Sequence, residues 1–552
     1  MALKKRYRIL LILALLVFLL LILFVIAIWV SPPDIDDKSA LQQEREKLEE
    51  GSYRLGQNWS RKNKFGIWEV YVKGKAFERG VAKGYLCKEI LEDQETAFID
   101  GIKELVPSNF MLHFLKYVVA WENRNLPEYI SDEFKKEIYG MSHFASDKYD
   151  YVGPKYHRKL FYHSAHDIGH TVQNMGLVGC SSFSAWGSLT ENGQILTGRN
   201  FDFYIGDEFR VNKVLFLVDP EEGYKYASFS WPGMSGVLSG MNEKGLTVSL
   251  NAGPPEIPNA AKTPVSILAR EIIQYAANIE DAIAIAKSRD IFVSESFMIS
   301  SVADGRTIVI EKSPEKMGIV ETDNDMLIST NHFQSDVFKD MESNIEFQEI
   351  SSTKRRFDRI NFLTSDDDTI VQQEIIDVLR DLGDLDKPKI GIGNEENINI
   401  MVTHHSILFE PADSIMWISV GDSPIGEYVC FDLKDFFNNT DTFKSQTSLN
   451  ENIIPASAWI NSKEFKAYQT FHSKYVALED RILNGENILK NTFDDMISYN
   501  PDFYKGYMMA GEYFYNRKEC TVANKYLSEA LKLVIPWQKD IDGMESALKK
   551  CR

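Results

Sequence analysis

The hydrophobic pattern starts with an unbroken apolar run from Ile9 to Val30 that contains no charged residue. As a helix rising about 1.5 Å per residue it spans roughly 33 Å, enough for a bilayer core of about 30 Å. Lys4, Lys5, Arg6 and Arg8 precede the run, and Asp34, Asp36 and Asp37 follow it. That asymmetry predicts a single-pass anchor with the N-terminus cytoplasmic and the body on the outer side, periplasmic if the source is bacterial. A cleaved signal peptide is the alternative, but its apolar region is shorter, about 7–15 residues, and ends in an A-x-A-like site. Here the run ends Trp29-Val30-Ser31-Pro32-Pro33. We therefore read residues 1–31 as cytoplasmic tip and anchor. Residues 32–51, Pro-containing and then charged, read as a stalk.

Beyond the stalk, Trp68 to Lys73 alternates as a strand does. Residues 76–105 and 110–146 carry helical spacing, so 52–179 is expected to be mostly helical. After residue 180 the pattern changes to short strands separated by turn signals: Glu191-Asn192-Gly193, Asn242-Glu243-Lys244-Gly245 and Asp304-Gly305. Helices are expected at 263–278 and 280–289, and strands at 297–303, 306–312 and 326–331, with a sheet-like stretch at 414–432. Antiparallel strands in two groups around helices predict an α+β sandwich over 180–440, two sheets covered by helices. Residues 450–552 are helical in pattern. Tyr507, Ala510, Gly511, Phe514, Ala523, Leu527 and Ala530 fall at the spacings of a tetratricopeptide repeat. Such repeats need neighbours to bury their faces, so one copy is expected to pack on the body.

Composition narrows the partners. The chain of 552 residues is 44% hydrophobic and 26% charged, as a folded protein is, and its net charge is −19. An acidic surface repels phosphate backbones, which argues against nucleic acid. The five cysteines, Cys87, Cys180, Cys430, Cys520 and Cys551, form no CxxC pair, and an odd number leaves at least one thiol free or paired with another chain.

Context singles out Cys180. It begins a strand that reaches the Glu191-Asn192-Gly193 turn, and the returning strand carries Gly198, Arg199, Asn200, Phe201 and Asp202 back beside it. A thiol next to a guanidinium is expected to have a lowered pKa, and the thiolate is the reactive form. A nearby carboxylate could hold an ammonium group. Gly179-Cys180-Ser181-Ser182-Phe183 followed by Gly198-Arg199-Asn200-Phe201-Asp202 resembles the choloylglycine hydrolase and acyl-coenzyme A:6-aminopenicillanic acid acyltransferase (peptidase C45) group of N-terminal-nucleophile (Ntn) hydrolases. The resemblance continues in order through Gly240 to Leu246 with Ser249-Leu250-Asn251, through Ser329-Thr330-Asn331-His332, and through Lys354 to Arg359. It covers roughly 150–435.

The resemblance implies an αββα sandwich and a cysteine amidase or acyltransferase that needs no cofactor and no metal. It implies cleavage between Gly179 and Cys180, with 52–179 as propeptide or small chain that stays in a non-covalent complex with the rest. It assigns Asp202 to the freed α-amine, Arg199 to the thiolate region, Asn251 and Asn331 to the oxyanion, and Arg356 to a supporting role. The substrate class is a small acylated molecule: an N-acyl amide, ester or thioester. Two rival readings stand beside it. One is a membrane-tethered, non-catalytic binding or scaffold protein on the same fold. The other is a metal-dependent hydrolase built on His163, His166 and His170, although no glutamate sits in the metalloprotease position. His404 and His405 are read as packing residues, and Cys87, Cys430, Cys520 and Cys551 as structural or incidental.

Overall fold

The computed structural model of the chain describes residues 2–551 apart from 107, 165–177, 256–260, 366–368, 386–389, 422 and 439–447. Its first helix, Ala2–Ala27, contains the stretch Tyr7–Ala27, long and apolar enough to cross a membrane and not buried against the body. At its end the chain is docked: the His157 ring nitrogen Nε2 donates to the Val30 carbonyl at 2.7 Å, and the Trp29 ring meets that imidazole edge-on.

Among the described residues two sheets form. The larger runs β1 (Glu46–Glu49), β2 (Ser52–Leu55), β3 (Asn58–Lys62), β4 (Trp68–Gly74), β7 (Val214–Pro220), β8 (Tyr226–Ser230), β9 (Ser239–Asn242), β10 (Leu246–Ala252), β11 (Glu295–Ser301), β12 (Arg306–Lys312) and β13 (Met317–Val320). The smaller runs β14 (Met326–Ser329), β5 (Val178–Ala185), β6 (Leu196–Phe203), β15 (His405–Glu410), β16 (Ile415–Ser419), β17 (Tyr428–Asp432) and β18 (Ser448–Ile454). Neighbours are antiparallel except β4 and β7, which pair in parallel from Trp68 with Val214 to Gly74 with Pro220.

The sheets meet face to face. Leu215, Leu217, Phe229 and Met241 of the larger sheet pack against Ile407, Phe409, Ile418 and Phe431 of the smaller. Leu268 and Ile272 of the helix Val265–Tyr275 cover the far side of the larger sheet at Val248 and Leu250. Ile360 of Thr353–Leu363 and Ile375 and Leu379 of Gln372–Leu379 cover the smaller at Phe183 and Leu408. This is the expected αββα layering. Central strands buried on both faces, such as β7, read as continuous apolar runs because neither face sees water.

Two segments differ from the sequence expectation. Residues 32–51 do not stand free as a stalk, because Ala40 is buried and Glu46–Glu49 is the edge strand of the larger sheet. Its charged side chains point into water, and a charged edge strand has the composition of a linker. In 52–179 the expected strand is present as β4, but β2 and β3, which were not expected, extend the same sheet beside it before the helices Ala76–Leu86, Lys88–Leu105, Asn109–Glu122, Asp132–Ser142 and Lys155–Tyr162. At the other end β18 adds a last strand to the smaller sheet. Five helices follow, from Lys463–Leu483 to Gln538–Lys550, with a core of their own built on Phe493, Met496, Tyr504, Phe514 and Tyr526. A Cys520–Cys551 disulfide closes that region, and Cys87, Cys180 and Cys430 are free and buried.

Candidate active site

The hairpin read from the sequence is present. β5 and β6 pair so that Gly179 faces Asp202, Cys180 faces Phe201 and Ser182 faces Arg199. Cys180 is completely buried, at 0% exposure. Its backbone N–H donates to Asn331 Oδ1 at 3.0 Å, and its carbonyl accepts from Arg356 Nη1. Arg356, on the first turn of Thr353–Leu363, also donates to Asn331 Oδ1 at 2.6 Å and to the Ser181 hydroxyl at 2.9 Å. One guanidinium and one amide thus clamp both sides of residue 180.

Arg199 Nη2 lies 3.8 Å from the Cys180 sulfur. The same guanidinium donates to the Leu238 carbonyl at 2.6 Å and to Ser239 and the Leu250 carbonyl, so the strands of the larger sheet fix it. The expected thiolate does not follow. Burial pushes the Cys180 thiol above its ordinary pKa, and the opposing pull of Arg199 does not overcome that. Sequence spacing showed the guanidinium but not the depth at which both groups sit.

Asp202 is the most telling group. Thr403 Oγ1 donates to its Oδ1 at 2.6 Å, while its Oδ2, fully buried, accepts from no donor among the described residues. A Cβ built on Gly179 would lie 3.8 Å from that oxygen and 3.8 Å from Arg356 Nη2. Burial raises the Asp202 pKa to about 7 against the lowering effect of Thr403, Arg356 and Arg199. Sequence reasoning did not single out Thr403, since a lone hydroxyl before a strand carries no motif.

Asn251 and Asn331 are brought to the same place, with their amides engaged. Asn251 Nδ2 donates to the Ser329 carbonyl at 2.9 Å and its Oδ1 accepts from Ser182. Asn331 Nδ2 donates to the Ala252 carbonyl at 3.0 Å. His163 is committed at both ring nitrogens, to the Lys159 carbonyl and the Ser235 N–H, while His166 and His170 lie outside the described residues. His404 and His405 share a contact between their Nδ1 atoms at 2.9 Å, and burial holds both far below the usual histidine pKa, hence neutral. A small cavity next to Phe203 is lined by Leu91, Phe98 and Tyr162 from the N-terminal helices and by Phe209 and Trp231 from the body.

The family model for acyl-coenzyme A:6-aminopenicillanic acid acyl-transferase matches residues 188–424. Over this stretch, which is less than half of the chain, the sequence is similar to that family. The matched acyl-transferase segment holds Arg199, Asp202, Asn251, Asn331, Arg356 and Thr403, and begins just after Cys180. A protein of Archaeoglobus fulgidus with no assigned function is 22% identical over 404 residues, 64% of this chain and 64% of its own length. The chain thus spans just under two thirds of that relative. Among solved structures, an N-acylethanolamine-hydrolyzing acid amidase orthologue from Caenorhabditis elegans is 17% identical, covering 42% of this chain and 93% of its own, with a TM-score of 0.31. A conjugated bile acid hydrolase from Clostridium perfringens is 15% identical, covering 49% of this chain and 97% of its own, with a TM-score of 0.34.

Proposed function

We propose that the chain is a self-processing cysteine amidase or acyltransferase, held at a membrane by residues 9–30, that matures by cleavage between Gly179 and Cys180. The observation that carries the reading is the buried Asp202 Oδ2, which has no partner among the described residues and lies beside Gly179. A carboxylate oxygen left without a partner in a buried site is costly, and it faces the backbone at which cleavage would create an ammonium group. Asn331 Oδ1, already bonded to the Cys180 N–H, supplies a second acceptor for the same nitrogen.

Maturation proceeds in two balanced steps. The Cys180 sulfur attacks the Gly179 carbonyl carbon, its proton passes to the departing nitrogen, and a thioester replaces the amide. Water then hydrolyses the thioester, leaving the Gly179 carboxylate on one piece and a free thiol and α-amine on the other. The α-amine, of ordinary pKa about 7.7–8.0, serves as base for its own thiol near neutral pH. Asp202 orients it, and Arg199 faces the developing thiolate. The thiolate attacks an acylated small molecule, and the acyl-enzyme passes its acyl group to water or an amine.

In the uncleaved chain Cys180 is sealed and both oxyanion amides are spoken for, as suits a precursor. The oxyanion role of Asn251 and Asn331 belongs to the cleaved enzyme and requires their partners to exchange. Denaturing gels test the reading. Wild type is expected as two pieces, the larger beginning Cys180-Ser181-Ser182 by N-terminal sequencing, and Cys180→Ala as one chain of 63.2 kDa. An intact wild type whose amidase activity ignores Cys180→Ala would overturn it.

A further inference from the structure

Outside the first helix, exposed large apolar side chains are mostly scattered singly, as on any protein. The helix Asn109–Glu122 is different. Phe110 (82% exposed), Met111, Phe114 (57%), Tyr117, Val118 and Trp121 all face solvent. Their spacing of three and four places them in one stripe along the helix. The stripe continues the apolar surface of the first helix: Phe24 stacks on Trp121 at 5.6 Å and meets Tyr117 at 6.3 Å. Trp29, Tyr117 and Trp121 thereby gather where the first helix ends, and amphipathic aromatics of this kind concentrate at a membrane–water interface. Lys116 and Arg124 border the stripe, one donating to the Tyr151 carbonyl and the other stacked over the Trp121 ring at 4.1 Å.

We propose that the helix Asn109–Glu122 lies in the interface of the bilayer that the first helix crosses, its aromatic stripe among the acyl chains. The inference rests on the anchor reading given above. A second copy or a protein partner fits less well, because the stripe shares an edge with a surface already suited to lipid. Two contacts instead of one orient the body: a spanning helix alone leaves it free to spin about the bilayer normal, whereas an in-plane helix fixes which face meets the membrane.

The test uses the full chain with Cys180→Ala, so that it stays uncleaved, reconstituted in phosphatidylcholine nanodiscs. An environment-sensitive fluorophore is placed in turn at Phe114→Cys, at Leu16→Cys in the first helix and at Leu489→Cys, 66% exposed on the C-terminal region. Spin-labelled phosphatidylcholine should quench Phe114→Cys to an extent comparable with Leu16→Cys, and aqueous iodide should quench only Leu489→Cys. Lipid quenching at 114 no greater than at 489 overturns the inference. So does a site at 114 shielded from both quenchers, which would mean that protein covers it. If Leu16→Cys escapes lipid quenching, the anchor reading has failed, and the signal at 114 still decides the helix by itself.

Discussion

At the scale of single residues, Asp202 ties the chemistry to a measurable pH dependence. Its pKa stands near 7 in the folded, uncleaved chain against an ordinary value of 3.8. A carboxyl group raised in this way binds its proton more tightly folded than unfolded. Stability is therefore lost as pH rises from about 4 to 7 and is flat above, amounting at most to something on the order of 4 kcal/mol. Asp202→Asn, in a Cys180→Ala background that prevents cleavage, should match its parent in thermal unfolding at pH 4 and melt higher at pH 8. Equal melting at both values would show that the carboxylate is better solvated than its surroundings imply. Thr403 acts through Asp202 by donating to Oδ1, which favours the charged form. Thr403→Val should move the pH profile of self-cleavage to higher pH, with Thr403→Ser restoring it. A variant that lowers the cleavage rate equally at every pH would mark Thr403 as merely structural.

At the scale of elements, the two pieces that the proposed cleavage would separate share one sheet and one buried charge cluster. β4 and β7 lie on opposite sides of Cys180 in sequence yet pair along their whole length. Arg270, on Val265–Tyr275, grips Glu137, on Asp132–Ser142, with both guanidinium nitrogens at 2.8 and 2.6 Å, and Arg79 and Lys83 join the same carboxylate. Although burial works against it, Arg270, Lys83 and Arg79 hold Glu137 well below the usual carboxylate pKa. Its contribution is present above the ordinary glutamate pKa and is lost as pH falls through the depressed one. Glu137→Ala takes the shared carboxylate from Arg270 and Lys83 and leaves Arg79 only Glu133, at a cost of about 3–5 kcal/mol. The pieces should then separate on size exclusion at neutral pH, whereas wild-type pieces should part only in strong acid. The β5–β6 hairpin was legible in the sequence because turn and strands are contiguous, and β4 because its faces alternate. β1 was not, since a charged edge looks like a linker, and no local pattern reports that β4 finds its partner at β7. Asn251, Asn331 and Arg356 came from the resemblance, and the spacing of the chain could not have shown how their amides are engaged.

At the scale of the whole molecule, the helical C-terminal region is joined to the body through a seam of side-chain amides and ion pairs beside an apolar cluster in which Tyr468 and Phe465 meet Met401 and Ile425. The Asn500 amide brackets Ile392, donating to its carbonyl at 2.8 Å and accepting from its N–H at 3.2 Å. Asn394 reaches the Val534 carbonyl at 3.0 Å, and Lys505 pairs with Glu395. His472 meets Asp207, which lies between β6 and β7 of the body, at 2.8 Å. Gly391 makes the seam possible. Its φ is +86°, and a Cβ there would sit 2.6 Å from the Phe503 Cα and 2.7 Å from the Phe503 nitrogen, backbone atoms that cannot swing aside. Gly391→Ala therefore combines a left-handed strain of about 1–3 kcal/mol with a direct clash at the seam. The five helices keep their own core and the Cys520–Cys551 bridge, and the two sheets keep theirs, so the loss should fall on the joint and not on either part. Limited proteolysis should release the C-terminal helices from Gly391→Ala at protease levels that leave wild type whole, while the sandwich stays resistant. If the sandwich and the helices are digested together, they fold as one unit and the seam is not a separable joint.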